Sequence, residues 1–367
     1  MTKRKILLVS MYSSPDKNGM AVYADKLFKI WKELRFKPLM VTRFLPQRKK
    51  KDDIVSVKVP SVKLDDYASL IAKSDPRTYS LKFFQKAAEY VSIETALVHC
   101  LVCWDDYLAV WPYFKNEQRK FKIILTIGGG GMRGPENINS LRKEILNQLD
   151  AITFLSHRAG QLIDNLGIDK PKKYYTPPSV NLKTFTFKKI SGRSRNLTVL
   201  YLGRIDKHKG VFDILKIAKN CRGFNFNIIG EGRDKSKLKH QLKMKKINNI
   251  RVLEGINHNK VRDEFANADI FLHPTYDDEF PVSLLEAMAA GLPIVSTPIG
   301  DIPFIVKPNE NGFLCSPGNL PCFLRAMNKL QFLETRQQFS KKGRKIAACY
   351  SEKRMKEIYA RIKNEIL

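Results

Sequence analysis

Short, wholly apolar runs alternate along this chain with longer stretches whose apolar residues recur every three to four positions. The first run is Lys5-Ile6-Leu7-Leu8-Val9-Ser10, and a loop rich in Ser, Pro, Asp, Asn and Gly follows over residues 13–19. From Met20 to Leu34 the apolar positions Val22, Leu27, Ile30, Trp31 and Leu34 keep the period of a helix. Residues 38–42, 96–99, 122–127 and 151–156 repeat the short apolar theme. Such runs are apolar on both faces of a strand. Their alternation with helices predicts a parallel sheet covered on each side.

The pattern breaks at Tyr174-Tyr175-Thr176-Pro177-Pro178-Ser179-Val180, and the basic, polar stretch 188–196 continues the break. Alternation then restarts. Strands are predicted at 198–202, 226–229, 250–253, 270–272 and 293–296, with a helix over 212–219 and a lysine-rich helix after Gly230-Glu231-Gly232. Residues 350–367 read as one helix with no strand left to serve. The expected fold class is α/β, with domains at 1–180 and 181–349. The helix 350–367 is expected to cross back to the first domain. Two such open sheets facing each other should present their strand carboxyl ends to a common cleft, because ligands of these sheets bind there.

Composition narrows the class. The 367 residues are 43% hydrophobic, enough for packed cores and too apolar for a disordered polyelectrolyte. No apolar run reaches ~18 residues. Residues 6–9 are too short for a signal-peptide core despite the basic start Lys3-Arg4-Lys5. The expectation is a cytoplasmic protein. Cys100 and Cys103 form a C-x-x-C beside His99, but no second ligand pair follows at zinc spacing, and Cys221, Cys315, Cys322 and Cys349 are scattered. The cysteines are therefore read as small buried apolar residues. A net charge of +29 is spread over both halves of the chain, with locally dense runs at Arg48-Lys49-Lys50-Lys51, 235–246 and Lys341-Lys342-Gly343-Arg344-Lys345. Such a field attracts phosphate in nucleic acid, anionic lipid or a small substrate.

The chemistry concentrates in residues 271–293. A strand ends at Leu272, the acidic loop Asp277-Asp278-Glu279-Phe280 follows, and Pro281 suits a first helical position because it has no N–H to lose. The helix runs through Leu284, Leu285 and Met288 and stops at Gly291, with Pro293 preventing continuation. The amides around Val282 and Ser283 form an anion site at the helix start. Acidic side chains there, Asp278 and Glu286 among them, would repel a bare phosphate. A sugar nucleotide offers a diphosphate to the amides and hydroxyls to the carboxylates.

This segment resembles the signature of the retaining glycosyltransferases of family 4 (glycosyl transferases group 1), which have the GT-B fold of two facing Rossmann-like domains. Asp278 and Glu286 stand eight positions apart, the spacing of that family's paired carboxylates. The resemblance implies that Glu286 binds the nucleotide ribose and Asp278 the transferred sugar. Family members usually have Glu at the first position; Asp278 departs from that, and Glu279 is the alternative occupant. Gly203-Arg204-Ile205-Asp206-Lys207-His208-Lys209-Gly210 resembles the family loop whose Arg and Lys clamp the diphosphate, here Arg204 and Lys209. Fixed cations at that place offset the charge of a departing nucleoside diphosphate without a metal. Phe280, Pro281, Val282 and Ser283 complete the implied donor site, with Ile256 near the nucleobase and Gly19 on the amino-terminal glycine loop. The implied division is an acceptor-side first domain and a donor-binding second domain.

Many relatives have His just before the glycines of Gly128-Gly129-Gly130-Gly131; here that place is Gly128. His99, Gly129 and Gly130 are the candidate acceptor-side residues, and His99 reads equally well as a core histidine. Gly129 to Gly134 also spells G-x-G-x-x-G, but the acidic residue that a dinucleotide site needs after the next strand is missing. No His–Asp base is visible in the sequence, so a phosphate oxygen of the donor is expected to accept the acceptor's proton. The expected function is retaining sugar transfer from a nucleoside diphosphate, UDP rather than GDP, with no cofactor and no metal. The expected acceptor is a lipid-linked or oligosaccharide molecule of bacterial surface-polysaccharide assembly, met at an anionic membrane surface on the cytoplasmic side. Two rival readings remain. One is a sugar-nucleotide epimerase of the same fold. The other is a basic nucleic-acid binder, against which stands the lack of aromatics within the basic runs.

Overall fold

The computed structural model describes residues 4–10, 19–43, 53–57, 83–103, 110, 113, 119–128, 140–187, 190, 196–253 and 258–367. They form two compact units. The first comprises Met1–Pro177 with Met355–Leu367, and the second is Pro178–Arg354. Among the described residues no helix is long and apolar enough to cross a membrane.

The first unit is built on a seven-stranded parallel sheet. In chain order its strands are β1 (Lys5–Ser10), β2 (Lys37–Arg43), β3 (Ile54–Val57), β4 (Thr95–Cys103), β5 (Lys122–Gly128), β6 (Ala151–Phe154) and β7 (Lys172–Tyr175). Their spatial order is β3-β2-β1-β4-β5-β6-β7. The continuous apolar runs have a simple cause. Leu7 and Val9 of β1 enter one core cluster, while Ile6 and Leu8 point the other way, into the cluster that holds Leu27, Ile30 and Trp31 of the helix Gly19–Glu33. β7 lies where the sequence pattern suggested only a break. It is an edge strand, KKYY, whose alternation buries Tyr174 and leaves Lys172 exposed, which suits an edge that must not recruit other strands.

The last helix, Glu352–Ile366, buries Met355, Tyr359 and Ile362 in the first unit, at the spacing of one helical face. The Tyr359 ring meets Trp31 edge-on at 5.6 Å, and its hydroxyl lies 2.8 Å from that of Tyr23.

His99 belongs to this same core, which corrects its candidacy for the acceptor side. It is fully buried in mid-β4. Trp31 Nε1 donates to its Nδ1 at 3.2 Å, so the ring proton sits on Nε2, 2.7 Å from Thr126 Oγ1. Thr126 in turn meets Thr153 at 2.6 Å. Burial pushes the imidazole down to about 3, so it is neutral. A ring with both nitrogens satisfied inside a core is structural.

The second unit has six parallel strands: β8 (Leu197–Leu202), β9 (Phe224–Ile229), β10 (Ile250–Leu253), β11 (Ile270–His273), β12 (Ile294–Ser296) and β13 (Gly312–Leu314). Their spatial order is β10-β9-β8-β11-β12-β13. From β8 the chain winds outward through β9 and β10, then returns to place β11 on the other flank. The β8/β11 boundary is therefore a topological switch point, where the loops leaving two adjacent parallel strands diverge and open a crevice. β13 is a three-residue edge strand with no signal in the hydrophobic pattern. Directly after it, Cys315 pairs with Cys322 in a disulfide at the core of the second unit, so these two cysteines are joined and not scattered. Cys100 and Cys221 are buried thiols.

Candidate active site

The two loops leaving the switch point are locked together. From β8 the chain passes Gly203-Arg204-Ile205-Asp206, makes a single 3₁₀ turn at Lys207–Lys209, and enters the helix Val211–Asn220 through Gly210. From β11 it passes Pro274 to Pro281 before the helix Val282–Ala290. The amide of Tyr276 donates to His208 O at 2.8 Å, and Lys209 Nζ donates to Asp277 O at 2.7 Å. Gly210 has φ +73°, and a Cβ there would lie 1.8 Å from Pro274 O. Only glycine lets the backbones approach this closely.

A second close approach supports the acidic segment from behind. Gly300, with φ +55°, would place a Cβ 2.1 Å from Asp278 O and 2.6 Å from Glu279 O. The amide of Asp301 donates to Glu279 O at 2.8 Å. The Asp278–Glu279 backbone is thus fixed against the loop after β12, and the Asp278 side chain turns toward Lys209.

Lys209 and Asp278 form a 2.7 Å ion pair in which the two side chains are only 15% and 18% exposed. The same oxygen, Asp278 Oδ2, lies 3.2 Å from His273 Nε2. Burial alone would raise the Asp278 carboxyl. The hydrogen bond from His273 and the charge of Lys209 outweigh it and hold the group at about 2. Tyr201 stacks on His273 and hydrogen-bonds Arg204 O at 2.7 Å. Its phenol is pushed well up by burial and then by the charges of Asp278 and Asp206.

The helix Val282–Ala290 stops at Gly291, which has φ +90°, as the sequence indicates. Pro281 occupies the N-cap, one place before the expected first helical position. Leu284, Leu285 and Ala287–Ala290 are buried, whereas Val282, Ser283 and Glu286 are only partly so. Residues 282, 283 and 286 share one side of a helix. That side carries the first-turn amides, which have no intrahelical acceptor, and a carboxylate one turn further in. Phe280 is buried against Tyr350 at 5.6 Å, so it packs instead of lining an open surface.

Arg204 is not part of the Lys209–Asp278 contact. Its side chain is 70% exposed and pairs with the nearly buried Asp206 at 3.1 Å; Arg233 reaches the same carboxylate at 3.8 Å. Asp206 O accepts the Lys209 amide at 2.9 Å, so the Arg204 pair and the Lys209 pair are built on one turn. Gly19 is the first residue of its helix, with open space where a Cβ would stand, so no neighbour demands glycine there. Ile256, Gly129 and Gly130 lie outside the described residues. His273 was not among the residues singled out in the sequence. Its only mark was its place at the end of a strand, five positions before Asp278. Among the described residues no group of three His, Cys, Asp or Glu side chains is arranged to hold a metal ion.

A protein of two parallel α/β units, the second with its charged loops at a switch point, matches solved structures along nearly its whole length. Anabaena HepE, in a crystal structure with UDP and glucose, aligns over 98% of this chain and 99% of its own with a TM-score of 0.72 at 15% identity. At that identity the likeness establishes the fold, which is GT-B. Residues 183–346 match the family model described as glycosyl transferases group 1. The 2-deoxystreptamine N-acetyl-D-glucosaminyltransferase of Niallia circulans is 34% identical over 128 residues, 34% of this chain and 33% of that protein. A putative colanic acid biosynthesis glycosyltransferase, WcaL of Salmonella typhimurium, is 25% identical over 167 residues, 42% of this chain and 41% of that protein. The chain thus spans well under half the length of these curated relatives.

Proposed function

We propose that the protein is a retaining, metal-independent glycosyltransferase that moves a sugar from a nucleoside diphosphate to an acceptor hydroxyl. The observation that carries this reading is the Lys209–Asp278 pair at the β8/β11 switch point, on the loop that leads into the half-open helix side of Val282, Ser283 and Glu286. Cations, amide donors and carboxylates on neighbouring loops suit a ligand with both a diphosphate and hydroxyls. Arg204 and Lys209 take the diphosphate together with the amides of Val282 and Ser283. Glu286 takes the ribose and Asp278 a hydroxyl of the transferred sugar.

In the reaction the bond from the anomeric carbon to the diphosphate oxygen breaks, and one from the acceptor oxygen forms on the same face. The acceptor's proton passes to a diphosphate oxygen. Charge building on the leaving group is met by the two cations, which act without a metal. UDP is the favoured nucleotide, in keeping with the ligand of HepE. The acceptor class we favour is a lipid-linked saccharide of surface-polysaccharide assembly, in keeping with the named role of WcaL and with a +29 chain drawn to anionic membrane surfaces.

A thermal-shift panel of UDP- and GDP-sugars tests the donor assignment, because a ligand that binds only the folded state raises apparent stability by mass action. A UDP-sugar should raise the midpoint and Arg204→Ala should reduce the rise. No shift with any member would overturn the reading. An inverted anomeric centre in the product would overturn retention, and sedimentation with anionic vesicles that is insensitive to salt would overturn the electrostatic membrane contact.

A further inference from the structure

His273 has no part in the donor assignment above, yet it contacts Asp278 directly and both its ring and its backbone are held by neighbours. Its ring runs nearly parallel to two neighbouring rings, Tyr201 at 6.1 Å and 15° and Phe271 at 6.3 Å and 16°. Its carbonyl accepts from Ser296 Oγ at 2.8 Å and from the Thr275 amide at 2.9 Å, so its backbone is fixed as well. Nδ1 is buried without a hydrogen-bond partner among the described residues, while Nε2 faces Asp278 Oδ2 at 3.2 Å. A carboxylate only accepts, so the ring proton that makes this contact is on Nε2.

We infer that His273 is a positioning residue which keeps Asp278 oriented toward the donor sugar once Lys209 turns to the diphosphate. This inference rests on the proposed donor site. Asp278 Oδ2 takes two donors, Lys209 at 2.7 Å and His273 at 3.2 Å. The two differ in kind. Lys209 is a point charge on a flexible four-carbon stem that also reaches Asp277 O. His273 is a buried ring with two rotatable bonds, packed beside Tyr201 and Phe271. An arriving diphosphate carries more negative charge than one carboxylate and competes for the ammonium. Without a second donor, Asp278 would then be an uncompensated buried charge, free to rotate or to take up a proton. With Nε2–H still on Oδ2, the carboxylate stays ionised and its other oxygen, Oδ1, keeps its direction. His273 therefore lets one cation serve the resting site and the leaving group in turn.

The test uses the full chain labelled with ¹⁵N in its six histidines, with His273→Phe identifying the ring signal. The proton should be on Nε2, and Asp278→Asn should shift that resonance. A proton on Nδ1, or a resonance indifferent to Asp278→Asn, would overturn the inference. Kinetics with the UDP-sugar selected by the thermal-shift panel give the second readout. His273→Phe should lower kcat about 10- to 100-fold with KM changed less than about threefold, and His273→Gln, which keeps an N–H donor, should recover most of the loss. An unchanged kcat in His273→Phe would overturn it. Failure of the wild-type chain to bind UDP counts against the donor reading alone, since the ring signal decides the His273–Asp278 contact without any ligand.

Discussion

Lys209 and Asp278 are 69 residues apart in sequence, and their side chains meet at 2.7 Å between the loops that leave β8 and β11. The pairing makes part of the fold's stability depend on acid. Asp278 lies at about 2 in the folded chain against an ordinary 3.8. The folded state therefore favours the ionised form. The resulting stability is fully present above about pH 4 and is lost as pH falls through about 2, amounting to about 2 kcal/mol. Lys209→Met should cost about 2 kcal/mol at pH 7 by leaving the carboxylate only its His273 hydrogen bond, and less at pH 3. Urea unfolding at the two pH values measures the gap; an equal gap at both would contradict the pairing.

Two glycines should be intolerant of a single methyl. At Gly210 a Cβ meets Pro274 O, and at Gly300 it meets Asp278 O, each with a positive φ behind it. Gly210→Ala and Gly300→Ala should each destabilise the chain by about 1–3 kcal/mol. Each should also lower turnover in the surviving folded protein, because the displaced backbone carries Lys209 or Asp278. Gly19→Ala, in open space, should do neither to stability. Denaturant midpoints for the three variants would check this.

His99 supplies a different pH signature. Its imidazole is pushed from 6.5 to about 3 by burial, so the unfolded chain takes up a proton that the folded chain refuses. Its contribution is present in full above pH 6.5 and falls by about 1.4 kcal/mol per pH unit between 6.5 and 3. His99→Gln should flatten the stability profile over that range. It should also cost about 2 kcal/mol at pH 7, since Trp31 Nε1 and Thr126 Oγ1 lose their aligned partner. The donor KM should not change. A raised KM would return His99 to the substrate.

Arg204 and Glu286 separate binding from stability. Arg204 is exposed and Glu286 partly so, so neither holds a core together. Arg204→Ala should weaken UDP binding about tenfold, roughly 1.4 kcal/mol, and Glu286→Gln should weaken it by a similar factor, with unfolding midpoints nearly unchanged. Calorimetric titration with UDP reads both. Full affinity in both variants would remove them from the donor site.

The fold was largely legible from hydrophobic periodicity. β1 and β10 fall on their expected residues, and the helix Val282–Ala290 ends at the glycine that favours a left-handed turn. What escaped were the short edge strands β3, β7 and β13, which bury too few residues to mark the pattern. Asp278, Lys209 and the helix start could be picked out because their residue types and spacing carry chemistry. The contact between Lys209 and Asp278 could not, since it depends on strand order. His99 and His273 show the limit most clearly. Both end or occupy apolar strands, and nothing local distinguishes a ring satisfied by Trp31 and Thr126 from one aimed at a carboxylate.

The path of the chain through the two units has its own consequence. Val180 donates to Tyr350 O at 2.9 Å and accepts from the Glu352 amide at 3.3 Å, while Asn181 Nδ2 reaches Glu352 Oε2 at 3.0 Å. The segments that enter and leave Pro178–Arg354 are thus stitched side by side, and the chain then returns to the first unit within the helix Glu352–Ile366. The second unit is topologically a cassette with joined ends, so exchanging it between related chains needs only two adjacent splice points, one of them in the first turn of the terminal helix, and leaves the host's sheet untouched.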